Sequence, residues 1–139
     1  MIGQHYKLRA FSLIEILITI AIISILVSIA APSYARYTRR AHYTEITSAS
    51  SPLKLAVDAC YQADGDLKQC SSGENGIPAA QSKASGLVAK EAVSAGVIDI
   101  TPTEKYGITA ADTYELKPVV NGAQLVWSTS GGGVKKGYA

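Results

Sequence analysis

Hydrophobic and polar positions divide the chain into three regimes. Residues 11–31 form an almost unbroken apolar run, with Glu15 as its one charged residue. As a helix rising 1.5 Å per residue, the run extends about 30 Å, the depth of a bilayer's hydrocarbon core, and it reads as a transmembrane span. Beyond it the period persists but the faces separate. Tyr43, Ile46, Ala49, Ser50, Leu53, Val57 and Cys60 recur at helical spacing, while Arg39, Arg40, Glu45, Lys54 and Asp58 occupy the other faces. A single helix is expected from Phe11 to about Tyr61, on the order of 75 Å long. Pro32 and Pro52 each remove a backbone donor and are expected to kink it. A helix half with no domain to bury against is built to pack with copies of itself.

The third regime is punctuated by turns and then by strands. Asp64-Gly65-Asp66, the stretch 71–76 and Pro78 mark a connecting loop over residues 63–95. Three strands are expected after it, over residues 96–101, 113–120 and 123–130. Asn121-Gly122 between the last two is a strong hairpin signal, both positions tolerating positive φ. Leu125 and Trp127 alternate onto one face and are expected to cover the amphipathic half of the helix. Pro118 cannot donate to a ladder, so its strand is expected at an edge or with that nitrogen turned outward. Residues 131–133, all glycine, are expected to loosen the chain before Lys135, Lys136 and Tyr138. The fold class is α+β: a long N-terminal helix packed on a three- to four-stranded antiparallel sheet.

Glu15 changes the meaning of the apolar run. A charge at membrane depth costs about 2.5 to 3.5 kcal/mol on the more lenient insertion scale, so the carboxylate needs a partner. Lys7 and Arg9 abut the run directly, which places any processing site before it and leaves the hydrophobic helix in the mature chain. Arg36, Arg39 and Arg40 follow the run, so charge counting alone does not orient it.

Ala10, Phe11, Ser12, Leu13, Ile14 and Glu15, followed by Pro32-Ser33-Tyr34, Tyr37 and Arg40, resemble the type IV prepilin family. The family usually has glycine before the cut, and here the small residue is Ala10. The resemblance implies a leader of residues 1–10, cleavage between Ala10 and Phe11 by a prepilin peptidase, and N-methylation of Phe11. It implies that Glu15 pairs with the amino terminus of a neighbouring subunit during assembly. Prolines at the positions of Pro32 and Pro52 are familiar in the family. The implied partners are other pilin subunits in a helical polymer, the peptidase and inner-membrane assembly machinery, with a host surface or DNA as further candidates. The implied location is the inner membrane with a periplasmic C-terminal part, then an extracellular fimbrium.

Composition fits one small domain plus an anchor: 139 residues, 47% hydrophobic and 17% charged. The formal charge of +2 includes Lys7 and Arg9, so loss of the leader leaves 11 basic and 11 acidic side chains. Bulk attraction to nucleic acid or anionic lipid is not expected from that balance. Cys60 and Cys70 lie beyond the membrane run, where an oxidising periplasm would join them, against free thiols or a metal site as alternatives. On the chain-entropy model such a bridge contributes roughly 3 kcal/mol.

No catalytic set emerges, since His5 lies in the leader and His42 at the start of the exposed helix, so neither enzyme activity nor a cofactor is expected. Asp64, Asp66 and Glu74 fit no complete calcium loop and read as solvated turn acids. Tyr34, Tyr37 and Tyr43 read as interfacial anchors or subunit packing rather than a DNA-stacking set. Lys83, Lys90, Lys105, Lys117, Lys135 and Lys136 are spread out and read as a solvated surface. The leading reading is a structural subunit of a type IV pilus serving adhesion, twitching motility or DNA uptake. A type II secretion pseudopilin and a DNA-binding minor pilin are the alternatives.

Overall fold

The computed structural model describes residues 9–139, so most of the expected leader, including His5 and Lys7, lies outside the described residues. Helix α1 runs Leu13–Asp64 and contains both Pro32 and Pro52. A short 3-10 turn follows at Leu67–Gln69, then strands β1 (Val88–Ser94), β2 (Val97–Pro102), β3 (Tyr114–Asn121) and β4 (Gln124–Ser130), and a one-turn helix α2 (Gly132–Lys135). The chain divides into two compact units, one ending at Arg36 and one spanning Tyr37–Ala139.

In the first unit the large apolar side chains of α1, from Leu13 to Ile29, are exposed. Surface of that kind on every face marks a helix meant for lipid or for other helices. Its hydroxyls are satisfied locally. Thr19 Oγ1 donates to the Glu15 carbonyl at 2.7 Å, Ser24 Oγ to the Ile20 carbonyl at 2.7 Å, and Ser28 Oγ to the Ile25 carbonyl at 2.7 Å.

In the second unit α1 buries Tyr43, Ile46, Ser50, Leu53, Val57 and Cys60, the stripe that the spacing outlined, with Ala49 half-buried beside it. The stripe packs in one core with Ile98 and Ile100 of β2, Tyr114 and Leu116 of β3, Val93 of β1, and Leu87, Ile77 and Ile108 from the loops. Each strand pairs antiparallel with its sequence neighbour, giving the order β1-β2-β3-β4. Trp127 of β4 reaches the helix: its Nε1 donates to Asp58 Oδ1 at 3.2 Å, and Lys54 Nζ lies 5.6 Å from its ring centroid.

Four features depart from the sequence expectations. Strand β1 lies inside the stretch read as loop, because Ala89, Lys90, Glu91 and Ala92 dilute its strand signal. Its turn into β2 is Ala95-Gly96, both at positive φ (47° and 81°), a hairpin geometry that alanine does not advertise. That turn is tied down by the disulfide loop: Cys60 is bonded to Cys70, the Cys70 carbonyl accepts from Gly96 N at 2.8 Å, and Ser71 Oγ accepts from Ala95 N at 3.0 Å. In the β3–β4 hairpin, Asn121 pairs with Gln124, so the loop residues are Gly122 and Ala123, and only Gly122 (φ 64°) is at positive φ.

Of the two arrangements expected for Pro118, the edge is overturned, since it belongs to an internal strand. The β2–β3 ladder ends at Ile98 opposite Leu116, so Pro118 stands two residues beyond it, with Gly96 close to its ring. Finally, the glycines 131–133 lock the chain rather than loosen it. A Cβ on Gly132 would lie 2.0 Å from the Ala111 carbonyl oxygen, and one on Gly133 would lie 2.0 Å from the Tyr43 hydroxyl. The run is glycine because backbone and a buried ring leave no volume for side chains. Gly133→Ala is therefore expected to destabilise by about 2 kcal/mol through overpacking, whereas Gly122→Ala, which meets open space, is expected to cost about 1 kcal/mol through φ alone. Thermal unfolding by circular dichroism ranks the two.

Candidate assembly site

The segment before α1 supplies the functional residues that the motif singled out. Ser12 stands just before the helix and caps it: its Oγ accepts from the Glu15 N–H at 3.3 Å, and its carbonyl accepts from Ile16 N at 3.3 Å. Ser12 and Glu15 thus have the S-x-x-E spacing of a capping box, with the carboxylate in the first turn where the helix dipole favours negative charge. The spacing is legible in the sequence, although a carboxylate in an apolar run stands out more than the cap beside it. Arg9, Ala10, Phe11 and Glu15 line a shared open hollow, so the carboxylate neighbours the expected cleavage point. Phe11 is 74% exposed. No hydrogen bond or ion pair to another described residue reaches the Glu15 carboxylate, whereas the hydroxyls of Thr19, Ser24 and Ser28 all find carbonyls on their own helix. The arrangement can do one chemical thing: present an anion, at the end of an apolar rod, to a cation from elsewhere.

Residues 7–31 match the prokaryotic N-terminal methylation motif. The type IV pilus subunit protein TapA of Aeromonas hydrophila is 42% identical over 82 residues, 59% of this chain and 57% of that protein. A probable minor fimbrial protein of Dichelobacter nodosus is 30% identical over 132 residues, covering 87% of this chain and 80% of its own. The chain belongs to the type IV pilin family. The solution structure of the major type IV pilin PpdD from enterohaemorrhagic Escherichia coli superposes with a TM-score of 0.54 at 26% identity, covering 68% of this chain and 69% of that one. The chain spans less than two thirds of the length of the Aeromonas relative. The pilin fold is thereby established: a long helix, a four-stranded antiparallel sheet and an apolar N-terminal segment bearing the methylation motif.

A second cluster closes this pilin's C-terminal unit. Tyr43 is fully buried; its hydroxyl donates to the Asp112 carbonyl at 2.8 Å, and its ring meets Tyr114 edge-on at 6.3 Å and Tyr138 at 5.6 Å. The Asp112 side chain is also fully buried, with Oδ2 accepting from Thr109 N at 2.9 Å and Thr109 Oγ1 at 3.1 Å, and Oδ1 ion-paired with Lys136. Burial pushes its carboxyl up, but the Lys136 ammonium and the two Thr109 donors outweigh that and hold it below the usual range. Lys136 is raised mainly by its hydrogen bond to Asp112, and Tyr43 is raised by burial and by Asp112. Nothing in the sequence around Asp112 marks it, since a lone aspartate in a loop carries no signal of burial.

These shifts set a pH window. Asp112 contributes stability that is present above its unfolded pKa and lost as pH falls through the lower folded value. Lys136 contributes stability that is present below its unfolded pKa and lost as pH rises. Tyr43, whose folded state favours the neutral phenol, also loses stability as pH climbs past its unfolded value. The unfolding temperature is expected to be flat between pH about 5 and about 9 and to fall below about 4 and above about 10. Asp112→Asn is expected to lower the plateau and weaken the acid-side fall. Scanning calorimetry across pH, on both chains, measures this.

Proposed function

We propose that this pilin is a structural subunit of a type IV pilus that polymerises through its N-terminal helix into a surface fibre for adhesion, twitching motility or DNA uptake. The observation that carries the reading is the coincidence, in residues 9–31, of a fully exposed apolar helix with one carboxylate that no described residue pairs. Cleavage between Ala10 and Phe11 frees an amine, which N-methylation leaves cationic. Glu15 of an incoming subunit, or of the one already docked, meets that cation on its neighbour. In low dielectric an unpaired carboxylate is expensive and a paired one is not, so docking in the correct register is favoured over any other. Prepilin peptidase and inner-membrane assembly machinery are the partners this route requires. The precursor and the subunit pool reside in the inner membrane with residues 37–139 in the periplasm, where the Cys60–Cys70 bridge persists.

A minor-subunit role is the second reading, supported by the match to a probable minor fimbrial protein as the major role is by the match to the major pilin PpdD. A pseudopilin of a type II secretion system would share the N-terminal helix and differ in the filament it enters. Glu15→Val is expected to leave membrane insertion intact and to reduce fibre yield to background. Electron microscopy of cells carrying the variant measures this, and wild-type fibre numbers would sink the proposal. Deleting the chain separates the roles: total loss of fibres assigns the major subunit, and retained fibres assign a minor one.

A further inference from the structure

Cations and aromatic rings collect at the end of the Tyr37–Ala139 unit where its chain enters. Arg39 Nη1 donates to the Tyr138 hydroxyl at 3.2 Å, and Lys136 Nζ stands 6.0 Å from the centroid of the same ring. The loop carrying Lys105 and Tyr106 closes against the helix here, with Gly107 beside the Arg39 guanidinium. Tyr106 stacks on His42, ring centroids 3.9 Å apart and planes 6° from parallel. Tyr106 adopts a positive φ of 55°, a strained choice for an aromatic residue, and the residue remains 62% exposed. Arg40, Lys105 and Lys135 are exposed as well.

The acids near these cations are largely engaged. Asp112 is buried against Lys136, and Glu45 accepts from Leu87 N at 2.8 Å, leaving Glu104 in the same loop. The far end of α1 is mixed, with Asp58, Asp64 and then Asp66 interleaved with Lys54 and Lys68. Five cations, Arg39, Arg40, Lys105, Lys135 and Lys136, thus gather at this pole. Tyr37 follows the apolar run by six residues, and six residues span at most about 22 Å even fully extended. Cations held that close to a span lie within reach of anionic headgroups, whose field falls off over about a Debye length.

We propose that this pole docks on anionic phospholipid headgroups of the bilayer that holds the unassembled subunit. Arg40 and Lys105 pair with lipid phosphates, and the Tyr37 and Tyr106 rings enter the headgroup layer, where amphipathic rings are favoured. The inference rests on the membrane-anchored reading above. Its consequence is that a subunit exchanges lipid contacts for subunit contacts as it joins the fibre.

The full chain, reconstituted in nanodiscs of phosphatidylcholine alone or mixed with phosphatidylglycerol, tests this. A spin label on a lipid headgroup attenuates NMR signals of residues near the surface. Stronger attenuation at Arg40 and Tyr106 is expected in the anionic discs, weakening as salt rises and falling about fivefold in apparent lipid affinity for each charge removed. Arg40→Gln and Lys105→Gln, singly and together, supply those losses, and unchanged Tyr43 signals show that the fold is kept. Equal attenuation in both lipids, or none lost in the variants, overturns the proposal. So does displacement of the label by short duplex DNA, which would mark a nucleic-acid surface instead. Resistance to alkaline extraction is scored separately: a chain that fails to insert refutes the anchored reading, and one that inserts without headgroup contact refutes this inference alone.

Discussion

The folded C-terminal unit depends on one buried contact, the Tyr43 hydroxyl on the Asp112 carbonyl. Tyr43 is the first fully buried residue of α1, and Asp112 lies just before β3, so this bond holds the start of the helix's buried stripe to the start of the sheet's central region. Around it the requirements become mutually restrictive. The phenol leaves space only for glycine at position 133, the Asp112 side chain is buried and so must be paired, and Lys136 supplies the charge from the turn that those glycines allow. Removing any one of these groups leaves another with an unmet demand. The tail of the chain is therefore as much a part of the core as the strands.

The opposite end of the same unit is secured by covalent means. The bridge from Cys60 to Cys70 holds the stretch whose Cys70 carbonyl and Ser71 hydroxyl grip the Ala95-Gly96 turn. Between these two fastenings the sheet lies on the helix by ordinary apolar packing, with Trp127 bonded to Asp58 at the β4 side. Burial, polar satisfaction and the bridge each act on a different stretch of α1, which lets one helix serve a globular unit along part of its length and remain bare elsewhere.

What the sequence made legible followed from periodicity and from motifs. The stripe from Tyr43 to Cys60 is spaced by the helix itself, and the hairpin around Gly122 is announced by turn chemistry. The pattern around Glu15 stands out because a carboxylate is rare in an apolar run. What stayed hidden depended on partners distant in sequence. Strand β1 owes its place to β2 and to the disulfide loop, since Lys90 and Glu91 weaken its own preference. The glycines 131–133 look like a flexible linker until Ala111, Thr113 and Tyr43 are seen against them. Asp112 looks solvated until Thr109 and Lys136 close over it. Pro118 suggested an edge because its missing donor is visible locally, whereas the early end of the β2–β3 ladder is not.

The polar groups of the N-terminal segment sort by reach. A serine or threonine hydroxyl can return to a carbonyl one turn back, as Thr19, Ser24 and Ser28 do, and so becomes compatible with lipid without any partner. A carboxylate inside a helix cannot, because the interior offers no free donor; Glu15 lies in the first turn, where its own N–H is taken by Ser12 and no described residue donates to its carboxylate. There it gains from the helix dipole, yet retains a charge that the helix cannot neutralise. A hydroxyl in its place could return to a carbonyl of its own helix, as the other hydroxyls of the segment do. Among the described residues, Glu15 is thus the polar group of this segment whose side chain its own helix leaves without a partner.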